Sequence, residues 1–210
     1  MAEPEKVFIT GNTMRLIMDD GSQYVANPTP SQVWVFTGGS GGGTDPDPGG
    51  SSGFRVPFSW DAVTSEYGPR SGGAGSFHEG TDFGAGLVGG PGTPIITVAG
   101  GVVEAEYYHR NFGNMIIVNH GVFSVGPYAG MRLRTLYAHM ENPALFEQGQ
   151  IVPKDAVLGG VGNTGGSFGA HLHLEVHVSG PNSGIVWNTS NNGNYRTAVN
   201  ARDFFAAYGG

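Results

Sequence analysis

Three of the chain's seven histidines fall in one eight-residue run, His171-Leu172-His173-Leu174-Glu175-Val176-His177-Val178. Polar and apolar residues alternate strictly through it. Successive side chains of a strand point to opposite faces. His171, His173, Glu175 and His177 therefore share one face, and Leu172, Leu174, Val176 and Val178 share the other, packed face. Two imidazoles two residues apart on a strand can reach a single centre, and imidazole is the commonest metal ligand near neutral pH. A second cluster, His78-Glu79-Gly80-Thr81-Asp82, sets a His and an Asp at i and i+4, on one face in either a strand or a helix. Glycines at 72, 73, 75, 80 and 84 favour the extended form. His78, Asp82 and one His of the alternating run would supply three protein ligands. Tetrahedral zinc so held keeps a position open for water, the mark of a catalytic site. His139 closes a further apolar run, Thr135-Leu136-Tyr137-Ala138-His139. The chain has no cysteine, which removes disulfides, Cys-type zinc sites and thiol nucleophiles and leaves His, Asp and Glu to hold any metal.

Short strands and tight turns must position these groups, and the composition suits them. Of 210 residues, 38 are Gly and 13 Pro. Each helical Gly costs about 1 kcal/mol, so long helices are disfavoured. With 39% hydrophobic and 11% aromatic residues the chain is not disordered as a whole. The apolar runs at 95–98, 102–103, 115–118, 133–137 and 172–178 are short and turn-bounded, which predicts an antiparallel all-β domain. One short C-terminal helix is expected, with Asn200 as N-cap and Asp203 in its first turn before Phe204 and Phe205. Residues 38–53, GGSGGGTDPDPGGSSG, carry no apolar side chain and read as a flexible linker spanning roughly 20–25 Å. The chain thus divides into a small N-terminal β docking module (1–37), the linker (38–53) and a larger domain (54–210). Within the module, 7–10, 14–18 and 33–36 favour strands, and Asp19-Asp20-Gly21-Ser22 has hairpin-turn chemistry. So few residues rarely fold alone, so the module is expected to dock on a partner, on an oligomer mate or on the larger domain.

The net charge of −7 disfavours a nucleic-acid partner and gives no attraction to anionic membranes. No stretch approaches the roughly 20 apolar residues of a membrane span. The N-terminus MAEPEKVFIT shows no signal-peptide pattern, so action outside a cell would need another export route.

Several motifs occur together and in order: YGPR (67–70), HEGTD (78–82), GTPIITVAGGVV (92–103), GNMIIVNHG (113–121), LYAH (136–139) and GQIVPKDAVLGGVGNTGGSFGAHLHLEV (149–176). This combination resembles the lysostaphin/LytM-type zinc metallopeptidases, the M23 family of peptidoglycan endopeptidases. The resemblance implies the antiparallel β-sheet groove of that family. It implies Zn2+ as cofactor, His78, Asp82 and His173 as zinc ligands, and His139 and His171 as the catalytic pair. It also implies an endopeptidase cutting cross-links or stem peptides of bacterial peptidoglycan, at glycine bridges or at links involving D-residues. In that scheme a metal ion activates water. His171 is read as base on the water and acid to the leaving amine, with His139 stabilising the oxyanion; the two roles can be exchanged. Asn119 stands where relatives often carry Asp, and reads as a turn detail.

The expected setting is a bacteriophage tail-associated lysin in the virion, acting on the cell wall, with residues 1–37 docking on other tail proteins. An endolysin, or a structural tail protein that keeps the fold without the activity, are the alternatives. Other features carry less. Gly84 to Gly89 matches G-x-G-x-x-G but runs into Gly90-Pro91-Gly92 rather than a helix. Gly165-Gly166-Ser167-Phe168-Gly169 matches G-x-S-x-G without a strand-turn-helix elbow, though it leads to His171 and is placed to line a groove. His177 reads as a surface residue or one behind the ligands, and His109 and His120 read as loop residues. Trp60, Trp187, Tyr107 and Tyr108 read as core or groove wall, and Tyr67 and Tyr137 as candidates to touch substrate.

Overall fold

The apolar runs become strands wherever a computed structural model describes the chain, which is residues 4–10, 13–18, 23–26, 54–70, 77–185 and 197–208. The chain divides into two units, Met1–Asp47 and Pro48–Gly210. The first holds an antiparallel three-stranded meander of β1 (Pro4–Thr10), β2 (Thr13–Met18) and β3 (Gln23–Ala26). Val7 pairs with Leu16, and Leu16 with Tyr24. The first two expected strands agree with this register, and the turn expected at 19–22 lies outside the described residues. The third strand is formed by Gln23–Ala26, whereas the run expected at 33–36 lies outside the described residues, as do the proposed linker and Trp187.

The second unit begins with a 3₁₀ turn at Trp60–Ala62, β4 (Val63–Ser65), β5 (Gly68–Pro69), β6 (Phe77–His78) and β7 (Thr81–Gly84). A one-turn helix α1 (Ala85–Val88) and β8 (Pro94–Ile96) follow. Then come the long strands β9 (Gly101–His109), β10 (Gly113–Val122) and β11 (Arg132–Met140), and the short β12 (Ile151–Val152) and β13 (Val157–Gly160). The unit ends with β14 (His171–Ser179), β15 (Ala198–Val199) and α2 (Ala201–Ala207). The main sheet is antiparallel, in the order β12-β9-β10-β11-β14-β7-β4, with β15 added to β14. Two small ribbons, β13-β8 and β5-β6, flank it. The helix at the G-x-G-x-x-G stretch is a single turn ended by Gly89 at φ 118°, too short for a dinucleotide site.

One face of the sheet makes the core. Val103, Ile116, Val118, Leu133, Tyr137, Leu172, Leu174 and Val176 are buried there with Phe54, Phe83, Phe123, Phe204 and Phe205. α2 closes this core as expected: the Asn200 side chain accepts the N–H groups of Arg202 and Asp203, and Phe204 and Phe205 point inward. Trp60 is half-buried against Phe83 and Phe205, under the Arg202 guanidinium. The opposite face carries a smaller apolar cluster, Met115, Ile117, Leu136 and Ala138.

Two expectations fail because their residues are consumed by this core. Tyr137 is fully buried, its hydroxyl accepting the Val98 N–H at 2.8 Å, so it cannot meet a substrate. His120 is not in a loop but inside β10. It is fully buried, with Nδ1 2.9 Å from the Gly100 carbonyl and Nε2 2.7 Å from the Thr135 hydroxyl. Burial lowers its pKa to about 4. His109 ends β9. Asn119 also lies within β10, its amide donating to Glu104 and accepting from Gly121 N and Arg132. Among the described residues no helix is long and apolar enough to cross a membrane.

Candidate metal centre

β7 and β14 lie side by side with His173 opposite Asp82, and the turn after β6 brings His78 to the same spot. Three donor atoms then face one another. His78 Nε2 is 3.1 Å from Asp82 Oδ1 and 3.1 Å from His173 Nδ1, and His173 Nδ1 is 2.8 Å from Asp82 Oδ1. Zinc–ligand bonds of about 2.0–2.2 Å place neighbouring donors of a tetrahedron about 3.3–3.6 Å apart. A widening of a few tenths of an ångström therefore admits the ion. Two imidazoles and one carboxylate are also a zinc-type donor set with a fourth position left over. The residues fit the metal.

Each ligand is held from behind. His78 Nδ1 lies 2.8 Å from the Glu66 carbonyl, so that nitrogen carries the proton and Nε2 is left to bind. His173 Nε2 lies 2.9 Å from Glu175 Oε1, which frees Nδ1. The second oxygen of Asp82 accepts Arg70 at 3.1 Å, and the same Arg70 nitrogen reaches Ser65 Oγ. Such outer partners orient metal ligands and raise their basicity. Gly80 is dictated by contact: a Cβ there would sit 2.5 Å from His173 Cε1 and 2.7 Å from the Leu174 carbonyl.

The charges follow the same geometry. Burial opposes ionisation of Asp82, but hydrogen bonds from His173 and His78 outweigh it and hold the carboxyl well below its usual range. Burial likewise pushes His173 down, yet Asp82 and Glu175 raise it to about 9. Without metal, a proton on His173 does the work of a cation, and metal binding must displace it. Glu175 is buried, which would raise its pKa, but His173 and His177 lower it to about 2.

His171 and His139 stand beside the triangle. His171 is on the ligand face of β14, its Nε2 3.6 Å from Asp82 Oδ1 and its Nδ1 2.7 Å from the Gly169 carbonyl. Ser167 Oγ is 3.3 Å from the same Nδ1. The rings of His139 and His171 are 4.6 Å apart, and those of His139 and His173 5.9 Å. His139 Nδ1 lies 2.7 Å from the Thr164 carbonyl, so its proton is on Nδ1 and Nε2 keeps a lone pair. Burial, with the nearby His171 and His173, lowers its pKa to about 4 against the pull of Thr164. Its backbone is left-handed, φ 59°. There β11 has one more residue than β10, with Ile116 opposite Tyr137 but Asn114 opposite Met140. Strict alternation would point His139 to the core side with Tyr137; this bulge turns it toward His171 instead.

All five expected site residues are thus brought together. Those that sequence reasoning missed are supports: the carbonyls of Glu66, Thr164 and Gly169, the Arg70 guanidinium, and Glu175; of the two readings of His177, the one behind the ligands holds. His177 is not a surface residue; it is buried behind Glu175. Backbone carbonyls leave no sequence signal, whereas Glu175 and His177 were visible as further polar residues on the ligand face. Tyr67 is half-buried, its hydroxyl donating to the Ala198 carbonyl and its ring edge-on to Phe77. Tyr107 and Tyr108 are exposed on β9, and Phe168 is fully exposed in the loop before β14.

A profile described as Peptidase family M23 matches residues 76–186. The chain is similar to the peptidoglycan DD-endopeptidase ShyC of Vibrio cholerae, 32% identical over 130 residues that cover 60% of this chain and 27% of that protein. It is also similar to ShyA of the same organism, 35% identical over 103 residues, covering 49% and 21%. The match thus spans roughly a fifth to a quarter of the length of these relatives. The catalytic domain of the antimicrobial peptidase lysostaphin from Staphylococcus simulans has the same fold, with a TM-score of 0.51 at 26% identity, covering 69% of this chain and 91% of that domain. With half the chain matched by the family profile, and the His–Asp–His triangle at its centre, the chain belongs to peptidase family M23, a family of metallopeptidases.

Proposed function

We propose that the chain is a zinc-dependent endopeptidase that hydrolyses peptide cross-links or stem peptides of bacterial peptidoglycan. The observation that carries this is the pairing of a three-donor triangle with two further imidazoles, His139 and His171, that are not ligands. The names of the relatives, peptidoglycan DD-endopeptidases, support the substrate class. Bound by His78, Asp82 and His173, zinc would supply Lewis acidity and acidify water at its open position. The chain's own residues handle the protons. His171 and His139 each donate Nδ1–H to a backbone carbonyl and keep a lone pair on Nε2, so each is set to accept a proton. Their rings are 4.6 Å apart, close enough to act on one reacting group. His171 takes a proton from the attacking water and returns it to the leaving amine. His139 stays neutral until that step and then shares the charge that forms.

The setting we propose is the virion of a bacteriophage, with the chain as a tail-associated lysin and residues 1–37 docking on other tail proteins. A small β-meander, a Gly/Ser/Pro stretch and a wall-hydrolase fold in succession suit a docked end and a reaching end. Mass spectrometry of fragments released from defined peptidoglycans, with and without chelator, tests the activity. Chelator-sensitive fragments cut at a peptide bond support it, and no release by zinc-loaded protein refutes it. Probing purified virions tests the setting; absence there, with accumulation before lysis, would favour an endolysin.

A further inference from the structure

His177 shares the ligand face of β14 without being a ligand, yet it is 1% exposed. Its Nε2 lies 2.6 Å from Glu175 Oε2 and its Nδ1 2.8 Å from Thr197 Oγ1. Glu175, also 1% exposed, meets His173 Nε2 with its other oxygen at 2.9 Å. These four side chains form one line from the residue just before β15 to the metal centre. The hydrogens can be assigned along it without conflict. Thr197 donates its hydroxyl to His177 Nδ1, His177 donates Nε2–H to Glu175, and His173 donates Nε2–H to the other Glu175 oxygen. Once metal binding displaces the further proton of His173, the one nitrogen left with a lone pair is its Nδ1, which faces His78 and Asp82. His78, His139 and His171 lean on neutral backbone carbonyls. Only His173, among the described residues of the centre, leans on a carboxylate.

We propose that Glu175 and His177 are positioning residues that select the metal-binding nitrogen of His173 and thereby set the metal affinity of the centre, with Thr197 anchoring the far end. A carboxylate behind an imidazole makes it a stronger donor to a cation. A lone Glu175 would be free to turn about its side-chain torsions, and His177 fixes the second oxygen. Burial makes each link expensive to break, because a freed polar group finds no water.

This inference rests on the metal reading proposed for His78, Asp82 and His173. Its test is the zinc dissociation constant of the full chain, measured by competition with a chromophoric chelator, for wild type, Glu175→Gln, His177→Phe and Thr197→Val. The visible spectrum of the cobalt-substituted proteins and the melting temperature of the metal-free proteins are read in parallel. Glu175→Gln and His177→Phe are expected to bind zinc about 10- to 100-fold more weakly, with altered cobalt bands. Thr197→Val is expected to lose only a few-fold. Glu175→Gln conserves size and carries the test if His177→Phe does not fold. Wild-type zinc affinity and unchanged cobalt bands in Glu175→Gln would overturn the relay. A wild-type protein that binds no zinc would instead defeat the metal reading itself.

Discussion

Replacing His139 by alanine and by glycine, in separate proteins, distinguishes what the backbone needs at that position from what the chemistry needs. Both changes delete the imidazole and its 2.7 Å bond to the Thr164 carbonyl, so those losses cancel in the comparison. What remains is the backbone at φ 59°. A left-handed conformation costs an L-residue roughly 1–2 kcal/mol and glycine nothing comparable. Glycine loses about 0.5–1 kcal/mol more chain entropy on folding than alanine. The difference leaves His139→Gly more stable than His139→Ala by about 0.5–1 kcal/mol, or roughly 1–4 °C in melting temperature for a domain of this size. In an ordinary strand the order is the reverse, because only the entropy acts. Thermal and urea unfolding of the metal-free proteins read the sign directly, and both variants should have lost cleavage. If alanine proves equal to or more stable than glycine, the bulge does not hold His139 in a strained conformation and the argument for its re-aimed ring fails.

Other outcomes follow from the same geometry. His171→Ala should bind zinc with near wild-type affinity while cleavage falls by about 10²–10⁴; retained cleavage in both the His171 and the His139 variants would remove the pair from the reaction. Gly80→Ala puts a Cβ 2.5 Å from His173 Cε1, about 0.9 Å inside ordinary contact, with the Leu174 carbonyl blocking retreat. A loss of about 1–3 kcal/mol in stability together with weakened zinc binding is expected, and a calorimetric titration matching wild type would contradict it. His120 has a folded pKa near 4 against 6.5 unfolded, so the unfolded chain binds more protons between those values. Its contribution is complete above pH 6.5 and falls by about 3 kcal/mol as pH drops to 4. Urea midpoints across that range should decline less steeply in His120→Gln than in wild type, and parallel slopes would count against it.

Strand positions were legible because each apolar run is short and bounded by glycine or polar turns, and in 172–178 the period of two was strict. The ligand set was legible for the same reason: His171 and His173 two apart, and His78 and Asp82 four apart, are spacings that side-chain direction alone converts into shared faces. The third N-terminal strand was harder, since Gln23–Ala26 is only four residues long, with its three apolar residues in one run and no periodicity to separate it from a loop. His120 and Tyr137 misled because polar atoms suggest exposure. Their partners are Gly100, Val98 and Thr135, reached only once three strands are side by side. His139 shows the limit most sharply. Its type and its place at the end of a run nominated it, but counting by twos from Tyr137 sends it into the core. Only the extra residue between the Ile116–Tyr137 and Asn114–Met140 pairs brings it to the site, and no residue in LYAH announces a left-handed histidine.

The alternation in β14 also changes meaning once its neighbours are known. An alternating strand ordinarily belongs to a sheet with one wet face. In β14 the polar face is buried as deeply as the apolar one from His173 to Ser179. Burying two imidazoles and a carboxylate without partners would cost several kcal/mol, so the fold persists only if every polar atom on that face is matched. The described bonds do match them: Asp82 and Glu175 on His173, His177 and His173 on Glu175, Thr197 on His177. One nitrogen and two neighbouring donors are left converging on a point where, with no cation, a shared proton must stand in. The same demand for satisfied polar atoms that permits this strand to be central therefore builds the centre. It follows that substitutions along the line should be read in unfolding as well as in metal affinity.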